Sequence, residues 1–274
     1  MQVWEIVLIV IGANAVAAVA MLQLRRRAPA GGYFRDSQLA AGALAVTGTV
    51  YAVLVGFVFL LAFQSYETAR SSSQDEAVAA IGLFHVADQL PVRDRYALQA
   101  DAICYARSVI HVEWPAMAAG RPSPLVERWA SITARDFNRA RLRGSVASGA
   151  EQGWFESTNA LQSGRRGRIA EASAFVPTAI WVLLIAGGIV VIGFVFLFAD
   201  VRERRISQWM MITGVTTAVA ASLLMVAYLD EPYGDHQGAV QPSAMRDVLN
   251  TMEHERSRAQ LPPASRCDSN GLPA

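Results

Sequence analysis

Four histidines, two cysteines and one acidic cluster are the residues of this 274-residue chain best suited to chemistry. His85, His111, His236 and His254 are scattered. His85 falls among apolar helical neighbours and reads as a packed or surface histidine. His111 and Glu113 stand two apart, a spacing that points side chains in different directions on a helix. Asp230, Glu231, Asp235 and His236 form the densest acidic cluster, either a cation ligand set or a solvated turn. Cys104 and Cys267 fit neither a metal site nor a disulfide framework and read as ordinary thiols. The GxGxxG, GxxxxGK[ST], HExxH, GxSxG and CxxC patterns are all missing. No catalytic residue, metal site or cofactor follows from this inventory, and the chain is not expected to be an enzyme.

Bulk charge narrows the partners. A net charge of +1 gives no polyelectrolyte signature, so nucleic acid is not expected. All 24 basic residues are arginine. That bias fits bidentate anion contacts, and equally the codon usage of a GC-rich bacterial genome.

The elements that must position these residues are set by four apolar runs, Val3 to Leu24, Leu39 to Phe63, Phe175 to Phe198 and Trp209 to Leu229. Each can cross a hydrocarbon core of about 30 Å at about 1.5 Å per residue. Helix is the conformation that satisfies the backbone in lipid. Trp4, Tyr51, Trp181, Trp209 and Tyr228 fall mostly towards run ends, as interfacial aromatics do. The first run lacks a basic residue ahead of it and is followed by Arg25, Arg26 and Arg27, the reverse of a cleaved signal. The lipid bilayer of the bacterial inner membrane is therefore the expected partner.

Arginine placement predicts orientation. Arg25, Arg26, Arg27 and Arg35 occupy the first short link, and Arg202, Arg204 and Arg205 the last. Short basic links stay cytoplasmic, which puts the N-terminus, the middle domain and the tail outside. Arg165, Arg166 and Arg168 oppose this from the other side.

The expected fold class is all-α, with four transmembrane helices in two pairs and an extramembrane helical bundle between helices two and three. The domains read as 1–63, 64–174, 175–229 and 230–274. The second helix, free of proline from Ser65 to Leu90, continues beyond the bilayer until Pro91. Leu98, Ala102, Tyr105, Val109 and Val112 then form a packing stripe on a helix that Pro115 stops. Ser123-Pro124 opens a third helix to about Arg143, and a fourth runs from about Gln152 into the membrane near Pro177. In the tail, Gln241 to Arg258 forms a short amphipathic helix, and Leu261 onward has the composition of disorder.

Inside the membrane the interior positions are apolar, Gly, Ser or Thr, which argues against ion-coupled transport. Gly48, Ala52 and Gly56 repeat every fourth residue, as do Gly214, Ala218 and Ser222, a spacing for helix packing. Thr49, Val53 and Phe57 run beside the first seam. Several copies of that face around an axis would make a narrow hydrophobic constriction; one copy reads as lipid-facing or intrasubunit packing.

The stretch Tyr51 to Phe59, with Tyr66-Glu67 and Asp75-Glu76-Ala77, resembles the bacterial bestrophin-like integral membrane proteins. So do Glu113-Trp114-Pro115, Arg165-Arg166-Gly-Arg168, Pro177 with Trp181, and Asp230-Glu-Pro232-Tyr233-Gly234. Gly56-Phe57 is similar to the Gly-Phe of the pore helix in the true bestrophins, pentameric anion channels. That resemblance implies a homo-oligomer conducting small anions, with Phe57, Val53 and Thr49 in the neck. The calcium-binding acidic cluster of animal bestrophins has no counterpart, and bestrophins keep their helical domain in the cytosol, whereas the arginines here place it outside. From the residues alone a second reading stands: a non-conducting sensor or scaffold whose bundle binds an envelope partner.

Overall fold

The computed structural model describes residues 2–29, 33–34, 36–144, 146–200, 203–262 and 264–274. Arg35 and Arg202, used above for orientation, lie outside the described residues. In chain order the helices are α1 (Val3–Arg27), α2 (Ser37–Val86), α3 (Val92–Ser108), α4 (Trp114–Met117), α5 (Pro124–Leu142), α6 (Ser148–Ala170), α7 (Thr178–Leu197), α8 (Arg205–Asp230) and α9 (Ser243–Arg258). Among the described residues there is no strand, only one isolated bridge between Cys267 and Pro273. The fold is all-α, and among the described residues four helices, α1, α2, α7 and α8, are long and apolar enough to cross a membrane.

Local chemistry explains the boundaries. Asp36 Oδ1 accepts hydrogen bonds from the Gln38 and Leu39 backbone N–H groups at 3.0 and 3.1 Å, opening α2. Fifty residues without proline then keep α2 continuous for about 75 Å. A 3₁₀ turn (Ala87–Gln89) and Pro91 end it. Ser123 caps α5, its hydroxyl oxygen accepting the Leu125 N–H at 3.2 Å.

Three expectations need correction. Pro115 does not stop its helix: a π-helical turn (Val109–Glu113) follows α3, and Pro115 sits in the first turn of α4, where its missing N–H costs nothing. The helix expected from Gln152 begins at Ser148 and ends at Ala170, so a turn and the extended Pro177 separate α6 from α7. The tail after Leu261 is not without structure. Cys267 forms a disulfide with Cys104 (Cα–Cα 5.8 Å), the two residues read as thiols. Around it, Trp129 Nε1 donates to the Gly271 carbonyl at 2.7 Å, and Arg266 Nη1 reaches Asp101 and Asp136, both at 2.5 Å.

The chain divides into two units. One comprises 1–65, 174–231 and 236–238; the other 66–173, 232–235 and 239–274. In the first, Tyr51, Val55 and Val58 of α2 pack with Leu184 and Val191 of α7 and Val219 and Val226 of α8. Asn14 Nδ2 on α1 donates to Thr217 Oγ1 on α8 at 2.9 Å, and Arg25 Nη1 to Gln208 Oε1 at 2.8 Å. In the second unit the core gathers Phe84, Leu98, Ile103, Tyr105 and Trp129, with Phe137 stacked on Trp154 at 4.0 Å. The stripe expected on α3 is buried at Leu98, Ala102, Tyr105 and Val109, and half-buried at Val112.

Candidate functional site

Two places gather the residues singled out above. The first is the outer face of α2. Thr49, Val53 and Phe57 share it, and Phe57 is 63% exposed. Helical periodicity turns Tyr51, Val55 and Val58 inward on the opposite face, so the outer one is left without an intrachain partner for Val53 and Phe57. Thr49 Oγ1 satisfies itself on the Ala45 carbonyl at 2.8 Å.

The small-residue seams lie elsewhere than their spacing implies. A Cβ added at Gly48, Gly56 or Gly214 would meet nothing within 4 Å, so these are not points of close approach inside the chain. Gly48, Ala52 and Gly56 instead line an apolar groove of about 780 Å³ with Ala218 and Ser222. The close approach is made by Gly188, whose added Cβ would stand 2.8 Å from Val219 and 3.0 Å from the Tyr51 hydroxyl.

The second place is a buried ion-pair network in the bundle unit. Arg168 of α6 is fully buried. Its Nε and Nη2 donate to both oxygens of Glu76, the latter at 2.9 Å, and Nη2 also to Glu113 Oε2 at 2.6 Å. Nη1 contacts Met117 Sδ at 2.5 Å, and the guanidinium lies 5.3 Å from the Trp114 ring centroid. Arg165, one turn earlier, donates to Glu113 Oε1 at 2.8 Å and pairs with Glu127. Tyr105 Oη donates to Glu76 Oε1 at 2.6 Å, and the Ser123 N–H to Glu113 Oε1 at 3.0 Å.

Two pieces of backbone bring these charges together. The π-helical turn adds one residue to a turn and carries Glu113 inward with Val109 and Ile110. On α6, Gly164 leaves room for α2: an added Cβ would stand 2.7 Å from the Glu76 amide nitrogen. Burial alone would raise Glu113, but the Arg165 hydrogen bond and the Arg168 and Arg165 charges hold it below the usual carboxylate range. Burial works against the charge of Arg168, and Glu76 and Glu113 overcome it, leaving the guanidinium above its ordinary value. Burial, then Glu76, pushes the Tyr105 phenol well up. In the enclosed part of the network Glu76 and Glu113 face Arg168 and Arg165, so the buried charges balance, with the exposed Glu127 at its rim; it offers no poised base or nucleophile.

The remaining motif residues lie outside both places. Arg166 and Pro115 are exposed. Pro177 precedes α7, and Asp230 holds that helix start: its Oδ1 accepts the Val176 N–H at 2.7 Å, its Oδ2 the Trp181 indole N–H at 3.3 Å. Pro232 is buried and its carbonyl accepts the Val240 N–H at 2.7 Å. His236 Nε2 pairs with the Glu231 carbonyl at 2.8 Å, so the acidic cluster is a latched turn. Among the described residues no group of three His, Cys, Asp or Glu side chains is arranged to hold a metal ion. Arg139, Arg141 and Arg143, at the end of α5, are paired with Asp136, Glu151 and Asp94.

The profile of the Bestrophin-like domain matches residues 10–245. The chain belongs to the Bestrophin-like family. No curated protein matches it. Among solved structures it is similar to a bacterial bestrophin homologue from Klebsiella pneumoniae. One crystal structure of that homologue matches at TM-score 0.71 and 13% identity over 92% of this chain and 99% of the other. A single-site variant of it matches at TM-score 0.74 and 13% identity, covering 92% and 98%. The likeness is one of fold.

Arg168 is the residue that motif reading undervalued. Its signal was present: Arg165 and Arg168, at i and i+3, share a helix face with Gly164 between them and the preceding turn.

Proposed function

We propose that this Bestrophin-like membrane protein is a channel-like homo-oligomer in which copies of α2 line a pore, with Thr49, Val53 and Phe57 as its constriction and small anions as the permeating species. The observation that carries this reading is the uncharged outer face of α2, where Val53 and Phe57 are exposed while Tyr51, Val55 and Val58 on the opposite face pack within the chain. A ring of such side chains gates by dewetting, without ionisable groups.

We further propose that the N-terminus, bundle and tail face the periplasm. Two independent features support this: the arginines of the short links, and the Cys104–Cys267 disulfide, a bond that persists in an oxidising compartment. Alkaline-phosphatase fusions after Ala274 should be active, and inactive fusions would reverse the orientation.

Halide efflux from liposomes holding the full chain tests conduction. Phe57→Ala should raise efflux and Thr49→Phe should lower it. Silence from wild type and both variants would discard the pore and leave a non-conducting membrane scaffold.

A further inference from the structure

Arg256 lies in the last turn of α9 and is 5% exposed, yet none of its partners carries a charge. Nη1 donates to the Tyr96 carbonyl at 3.4 Å and to Gln99 Oε1 at 3.5 Å, and Nη2 donates to the Pro262 carbonyl at 2.6 Å. A guanidinium has five N–H donors. These three contacts leave two over, and the buried Nε is one of them. Glu253, one turn back, is engaged by Arg107, whose Nε and Nη2 donate to it at 3.1 and 2.7 Å. Burial pulls the Arg256 guanidinium below its ordinary value, but an arginine stays charged in a protein. The carbonyls at the end of α9 supply partial charge only. Buried charges are normally paired, because an uncompensated one costs several kcal/mol.

The backbone here builds a cavity. Gln260 adopts φ 54°, the left-handed region that residues other than glycine rarely enter. This turn sends the Leu261 N–H back to the Arg256 carbonyl at 3.0 Å and ends α9. The result is a cavity of about 440 Å³ lined by Arg256, Arg107, Ser257 and Gln260 as donors, with Ile103 and Leu261 as apolar wall. Two arginines against one glutamate leave the lining one positive charge in excess.

We propose that this cavity binds a small oxyanion, a carboxylate or inorganic phosphate, whose charge completes Arg256. The planar guanidinium matches the two oxygens of such a group, and the Ser257 hydroxyl and Gln260 amide add neutral donors. The apolar wall admits a short carbon chain on a carboxylate. The site belongs to the bundle unit alone, so it holds whether or not α2 conducts.

Calorimetric titration of the full chain in nanodiscs, with acetate and phosphate in turn at fixed chloride, tests it. At least one probe should bind saturably with one site per chain and raise Tm by about 2–4 °C near saturation. Arg256→Gln should weaken binding at least about tenfold. Leu261→Trp, which fills the cavity and leaves both arginines in place, should abolish it even if the first variant folds poorly. No saturable heat with either probe, or binding unchanged by Leu261→Trp, would overturn the proposal.

Discussion

The two units solve the same problem, burying what cannot face the surroundings, by opposite means. The membrane unit keeps an apolar exterior and packs a few internal contacts around Tyr51, Leu184 and Gly188. The bundle unit presents a charged exterior and buries charge as well: Glu76, Glu113 and Arg168 are all fully enclosed. In lipid, stability comes from close backbone approach and shape. In the bundle it depends on a buried ion network in which each member compensates the others.

This contrast ranks the consequences of substitution. Arg168→Met should be the most damaging, because it leaves two buried carboxylates facing Arg165 alone, which Glu127 also engages. A loss of about 3–5 kcal/mol is expected, read by thermal unfolding of the detergent-solubilised chain. An effect below that of a surface arginine such as Arg166 would erase the contrast. Cys104→Ser removes the covalent tie between α3 and the tail, and about 2–4 kcal/mol should go with it. Reductant should lower the wild-type melting point and leave that of the variant unchanged.

In the membrane unit the sensitive position is Gly188. Gly188→Val drives a side chain into Val219 and the Tyr51 hydroxyl and should cost about 1–3 kcal/mol, whereas Gly56→Ala, entering open space, should be silent in the same melt. Equal losses at both glycines would mean that the groove is closed in the membrane. The last effect concerns pH and is spread over several units. Burial raises the Asp101 carboxyl to about 7 against the pull of Arg266. An acid whose folded pKa exceeds its unfolded value of 3.8 holds more protons when folded. Stability therefore falls as pH rises from about 4 to 7, by at most about 1.4 kcal/mol per unit. Asp101→Asn should flatten that slope.

Legibility in the sequence followed the same divide. Hydropathy located the membrane helices closely, since lipid imposes one strong rule, and the absence of proline foretold the long α2. The α3 stripe and the Ser123 cap were also readable. Local signals failed where long-range pairing decides. Nothing near Pro115 announced a π-helical turn, and nothing near Glu113 announced Arg168 as its partner. The tail has the Pro, Gly and Ser content of disorder, and long-range ties give it structure: the bond to Cys104 across 163 residues, Trp129 to Gly271 and Arg266 to Asp101. The seams misled because spacing shows that a backbone can be approached, not what approaches it.

The disulfide also carries a consequence for biogenesis. The loop it closes contains α7 and α8, two candidate spans, so Cys267 can meet Cys104 only when the chain between them crosses the bilayer an even number of times. Had either span failed to insert, the two sulfurs would lie on opposite sides of the bilayer, and no oxidant could join them. The bond is thus a covalent record that the last hairpin did not enter by one span alone. A thiol-alkylation gel shift during synthesis would time that event in the living cell.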